Sequence, residues 1–349
     1  MWALVALFGA ITVFRSHQIG IPLRDPHGTI LQNRLLISLG LLAALALVDG
    51  VARTPRADRR PRAVAGVLRA RWTWRRLTLV MAALAAYHLV YFCYHNLKSW
   101  VAFQPVHDDR LARWDHWLFL GHTPALVLHD LLGQHVAAYV LMVIYESFST
   151  LLALCVVASL VFVEHVEDGF LLIASALWAW ILGVGSYYLI PSTGPFHFAP
   201  QDFSGLPHTL IQDTQARYME QRAQLLAHPH SHDAFAQIGA FASLHVAMTT
   251  LLLLMAHHYG LRRVERVMAV FVLLTMVATM YLGWHYAVDD LAGVTIAVLS
   301  VVLGRAMLGR DRSARSGRPG RPGGVRRQAR GWSGRGSVST QSTSPASGR

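Results

Sequence analysis

Repeated apolarity is the feature that most narrows what this chain can become. Seven stretches, residues 35–52, 77–96, 136–163, 170–190, 241–259, 264–282 and 286–308, carry few charges. Each approaches the ~20 helical residues needed to cross about 30 Å of hydrocarbon. Backbone groups in hydrocarbon find no water, so such runs must close their hydrogen bonds as helices. The expected fold class is an all-α polytopic membrane protein. Residues 1–14 are an eighth candidate, a full span only if residues after Arg15 join them. They lack a basic start and a small-residue cleavage site, so a cleavable signal peptide is not expected.

Composition agrees with this reading. The chain is 54% hydrophobic and 14% charged, against about a quarter charged in soluble domains. The net charge of +12 is concentrated: ten arginines face only Asp311 in the stretch after Gly309. Nucleic acid is therefore not an expected partner. Further basic residues gather at 53–76 and 262–266. The positive-inside rule puts both loops and the tail in the cytoplasm. Alternation then sets residues 98–134, the 191–239 loop, His245 and His285 on the extracytoplasmic face of a multi-pass cell-membrane protein. Residues 98–134 mix tryptophans with acidic and basic residues, the pattern of an interfacial helix. The tail, rich in Gly, Ser, Pro and Arg, is expected to be disordered. Cys93 and Cys155 lie in apolar runs and show no disulfide or metal pattern.

The candidate chemistry rests on three polar residues at span mouths: His245, His285 and Asp289. Ionisable side chains near hydrocarbon are costly and are generally used. His285 and Asp289 are four apart, so a helix would stack them on one face, where the carboxylate can fix the imidazole tautomer. Three segments carry the pattern: Tyr187 to His197 closing one span, Ser243-Leu244-His245 opening the next, and Tyr281 to Gly293 between the last two.

Their order and spacing resemble the type-2 phosphatidic acid phosphatase superfamily, and within it the branch of inositol phosphorylceramide and sphingomyelin synthases. The resemblance covers a six-span core, residues 77–308. It leaves residues 1–76 as one or two extra spans with a basic loop, and 309–349 as the tail. It implies His285 as nucleophile, Asp289 as its orienter, His245 as general acid, and Ser243 beside the acid as a substrate contact. Asp290 could exchange roles with Asp289 or serve as a cap. Superfamily phosphatases carry a lysine and an arginine before the proline of the first motif and an arginine six before the nucleophile. Here residues 183–195 hold no Lys or Arg, and Thr279 stands six before His285. A monoester dianion needs such donors, so their absence favours a phospholipid diester as donor and a hydroxyl as acceptor. The implied reaction passes through a phosphohistidine and calls for no metal and no cofactor. A lipid or isoprenoid phosphatase is the alternative. A transporter or scaffold with a histidine gate is a third reading.

Other polar residues are weaker signals. Tyr187, Tyr188, Pro191 and Pro195 would shape the pocket rim, or merely end a helix. Glu146, alone in its span, would face a polar interior or touch a headgroup. Tyr87, Tyr91 and Tyr94, with His88 and His95 beside them, read as packing or interfacial anchoring. His228, His230 and His232 read as a polar loop before a metal site. Asp49 would snorkel to the interface. Oligomeric state leaves no trace in the sequence.

Overall fold

The computed structural model describes residues 1–231 and 235–316, with side chains through residue 309. Among the described residues the architecture is helical and contains no strand. The chain runs α1 (Trp2–Ile19), α2 (Thr29–Arg53), α3 (Pro61–Arg71), α4 (Trp74–Trp100), α5 (Asp108–Leu118), α6 (Pro124–Leu132) and α7 (Val136–Val161). It continues with α8 (Val166–Leu189), α9 (Pro195–Phe198), α10 (Leu210–Ala227), α11 (Leu244–His258), α12 (Arg262–Tyr281) and α13 (Ala287–Ser316). Seven of these, α1, α2, α4, α7, α8, α12 and the 287–309 part of α13, are long and apolar enough to cross a membrane. The fifth apolar run of the sequence, 241–259, becomes the shorter α11, because Phe241–Ser243 enter it outside the helix. Ser243 then caps α11 by accepting a hydrogen bond from the Val246 N–H, a residue type suited to that position.

The eighth candidate is a helix of full length: α1 carries Arg15 along and stops at Gly20, whose φ of 66° ends it in the left-handed region. Loop 20–28 is pinned by Arg24, which is fully buried. The Arg24 N–H donates to Asn96 Oδ1 at 2.6 Å and its guanidinium to the Pro229 carbonyl at 2.5 Å.

The bundle is centred on α8, with 72% of its apolar window buried against 17% in α1 and 22% in α2. Helices α4, α7, α11 and α13 surround α8, while α1 and α2 lean on α4 and on α4 and α7 respectively. Close approach of α13 to α11 depends on Gly293, where an added Cβ would collide with the Ser243 carbonyl.

At the end away from His285, charged side chains knit helix ends together. Asp49 was expected to snorkel to the interface; it is instead buried and paired to Arg71 at 2.6 Å and Arg53 at 2.8 Å. Both arginines also reach Glu164. Arg76, itself buried, donates to the carbonyls of Leu160, Val161, Val163 and Glu164 and so caps the C-terminus of α7. These carbonyls have no partner within the helix.

The stretch 98–134 is not one helix. It completes α4, then folds into α5 and α6. Trp114 and Trp117 face outward from α5, while Asp108, Leu111 and Asp115 are buried. The expected disorder of residues 309–349 and the position of His232 lie, from residue 317 on and at 232, outside the described residues.

Candidate active site

A cavity of about 250 Å³ is lined by α2, α4, α7, α8, α10, residues 237–239, the start of α11 and the turn between α12 and α13. His245 and His285 share its wall with Tyr187 and Glu146. Their ring centroids are 6.1 Å apart.

His285 is set by the turn that precedes α13. Gly283 adopts φ 78°, and the N–H groups of Trp284 and His285 both donate to the Thr279 carbonyl. The His285 Nδ1 lies 2.9 Å from the Ala240 carbonyl and 3.5 Å from Asp289 Oδ2. A carbonyl can only accept, so Nδ1 carries the proton and Nε2 is left bare. The orienting role that the resemblance gives wholly to Asp289 is thus shared, with the Ala240 carbonyl making the shorter contact. Asp289 Oδ2 also accepts the Tyr286 N–H at 2.9 Å, which ties it to the first turn of α13. Burial pushes the His285 imidazole down to about 4, against the opposing pull of Asp290 and the Ala240 bond. A neutral imidazole with one free nitrogen is what a nucleophile requires.

His245 stands at the start of α11. Its ring stacks on Tyr145 (centroids 4.3 Å, 24° between planes) and tilts against Phe148 at 4.4 Å. Tyr145 in turn stacks on Trp284, 5.4 Å away and nearly parallel. Neither ring nitrogen of His245 has a hydrogen-bond partner among the described residues. The aromatic sandwich fixes the ring while leaving its nitrogens available.

Of the other expected contacts, Ser243 is fully buried behind the wall as the α11 cap. Tyr188 turns away and donates to the Leu97 carbonyl at 3.0 Å. Pro191 stands outside the cavity, its carbonyl accepting the His107 N–H. Pro195 lines a separate space of about 80 Å³ that also borders His285. None of these four lines the cavity: Ser243, Tyr188, Pro191 and Pro195 lie in the loops and helix ends around it. Asp290 accepts the Thr279 hydroxyl at 2.9 Å, so the residue six before His285 serves an internal bond.

The motif positions hold no cation, but the cavity does. Arg34 of α2, Lys98 of α4 and Arg217 of α10 line the same cavity. None comes from the motifs, so a reading of motif positions alone misses them. Lys98 Nζ lies 5.3 Å from the Tyr187 ring centroid and has no acidic partner among the described residues. The guanidinium of Arg34 lies 4.3 Å from the Tyr91 ring centroid. Tyr91, Tyr94 and His95, read from sequence as packing, are also in the wall.

Two aspartates missed by sequence reasoning hold the motif loops in place. Asp108 accepts the N–H groups of Thr193 and Gly194, the Thr193 hydroxyl and the Tyr286 hydroxyl at 2.8–3.2 Å. Asp115 accepts the N–H groups of Ala287 and Val288 at 2.8 and 3.0 Å. A carboxylate at those free donors caps α13. Gly194, at φ 100°, allows the close approach, since a Cβ there would meet the Trp284 carbonyl at 2.7 Å. The spacing of seven between Asp108 and Asp115, flanking Leu111, was the available signal for one inward face.

No curated protein and no solved structure matches the chain. A family model described as PAP2 superfamily matches residues 109–303. The match takes in nearly all of α5 through the first part of α13, with both histidines, both motif loops and Asp115, while Asp108 stands one residue before it. The chain belongs to the PAP2 superfamily, whose enzymes act on phosphate esters.

Proposed function

We propose that the protein is a lipid headgroup phosphotransferase working through a phosphohistidine. The observation that carries this reading is the pair of imidazoles on one cavity wall, His285 with a bare nitrogen and His245 with no partner, 6.1 Å between ring centres. The cavity that both rings line, about 250 Å³, has room for a phosphoryl group. The His285 Nε2 lone pair attacks phosphorus of a phospholipid diester, the bond to the glycerol oxygen breaks, and His245 gives its proton to that oxygen. Diacylglycerol leaves. An acceptor hydroxyl then attacks phosphorus, its proton passes to His245, and the P–N bond breaks. Acid–base assistance of this kind contributes about 10²–10⁴ in rate. Tyr145, Trp284 and Phe148 form an aromatic wall around His245 that holds its ring in place.

The second reading, a lipid phosphate phosphatase, is favoured by Arg34, Lys98 and Arg217, which together could balance a monoester dianion. Purified protein in vesicles with ³²P-labelled phospholipid separates the two. A new labelled phospholipid together with diacylglycerol supports transfer. Release of inorganic phosphate supports the phosphatase. Loss of neither activity in His285→Ala removes both. In this reading the active site faces outward, because the arginines of 53–76 gather at the opposite end of the bundle.

A further inference from the structure

A second, larger space of about 620 Å³ lies between α2, α4, α7 and α8. Arg34, Tyr91, Phe148, Ser149 and Trp180 border both it and the catalytic cavity. Below this shared rim its walls turn largely apolar, with Ile37 and Leu41 on α2 facing Leu152, Ala153 and Val156 on α7. From Arg34 to Leu41 the wall descends seven residues, about 10 Å of helix. It therefore leads from the polar end of the bundle into the depth of two membrane-spanning helices.

We propose that this groove is a hydrocarbon-chain site: it receives one chain of the lipid whose phosphate lies between Arg34 and His285. The proposal deepens the phosphotransfer reading and rests on it for the position of the phosphate. Three observations point to a lipid chain as occupant. The groove opens at membrane depth beside α2, whose Leu36, Ile37, Leu47 and Val48 are exposed. It is continuous with the cavity through a cation, so a molecule with an anionic head and an apolar tail matches both parts. Helix α2 is fixed against α4 by the Ser38 hydroxyl, 3.1 Å from His88 Nε2, and against α3 by the Asp49–Arg71 pair, so its groove wall keeps one position. Bilayer tails are as apolar as leucine, so the groove itself adds little affinity. Its contribution is placement: the phosphate contact with Arg34 supplies attraction, and the channel lets the tail follow without leaving an apolar surround. Since α2 lies outside residues 109–303, the first helices of the chain supply half of a substrate site.

The test uses full-length protein in phosphatidylcholine vesicles containing phosphatidic acid or phosphatidylglycerol with a diazirine at the end of one acyl chain. Illumination is expected to label residues 37–41 and 152–156, and unlabelled lipid of the same headgroup is expected to displace the label. Leu41→Trp, and Ala153→Phe on the facing wall, are each expected to cut it about tenfold by filling the space. Labelling needs no turnover, so His285→Ala keeps it. Failure of the phosphotransfer reading and failure of the groove are thereby distinguishable. Label spread equally over the outward Leu273 and Val302, label that excess lipid does not displace, or label that survives both bulky variants overturns the proposal. So does a crosslink between two copies of the chain through residues 37–41, which would make a second copy the occupant.

Discussion

The two ends of the bundle use charge in opposite ways. At the end bearing Asp49 and Arg76, cations and anions are matched: Arg53 and Arg71 each bridge Asp49 to Glu164, and Arg76 meets four carbonyls. At the histidine end, Lys98 and the His245 ring have no such partners, and both Asp289 and Asp290 keep one buried oxygen without a hydrogen bond among the described residues, where the other end leaves Arg76 Nε and the Trp72 indole N–H so. A buried polar group without a partner costs about 1–3 kcal/mol. Such costs persist where the group has another task. One end secures the helices, and the other keeps polar atoms free for a visiting molecule.

Substitutions can break this contrast. The largest effect is expected for His285→Ala, which should lower transfer by about 10⁴-fold or more, as loss of a nucleophile does. The measurement is the initial rate of ³²P headgroup transfer in vesicles, with thermal melting in detergent to show that the fold persists. Transfer within tenfold of the parent would return this end of the bundle to a structural role. Asp108→Ala should come next, with kcat down about 10²-fold from loosened loops, a penalty typical of small misplacements in a reacting centre. Lys98→Met should raise KM for an anionic lipid about tenfold, as expected from one lost charge-assisted contact, with kcat much less changed. An unmoved KM would mean that Lys98 does not meet the phosphate. Smallest on turnover is Arg76→Ala, where the rate per folded molecule should hold. Its midpoint of thermal unfolding should nevertheless fall, in line with a cost of about 3 kcal/mol for stranding buried polar partners. A catalytic defect in Arg76→Ala with an unchanged midpoint would erase the distinction between the ends.

The spans were legible because apolar length is a local property. The runs at 77–96 and 264–282 fall within α4 and α12 with only terminal changes. The two histidines and Asp289 were legible because charge at a span mouth stands out against its neighbours. The cations were not, since Arg34, Lys98 and Arg217 come from three helices scattered over 184 positions of the chain and meet only when those helices pack. Ala240 was invisible for another reason: its carbonyl holds His285, and a main-chain oxygen leaves no mark in residue identity. Asp49 misled because a single acid near a helix end has two cheap outcomes, water or a partner. Only the placement of α3 beside α2 decides for Arg71.

The anchoring of α13 has a practical corollary. Its opening amides belong, in effect, to Asp115, a residue more than 170 positions earlier. A chimera that exchanges only the stretch from α11 to α13 would import His245 and His285 without the carboxylate clamp on the loop that carries His285. Anyone grafting this histidine pair onto a related scaffold must transplant α5 as well, although none of its side chains lines the histidine cavity.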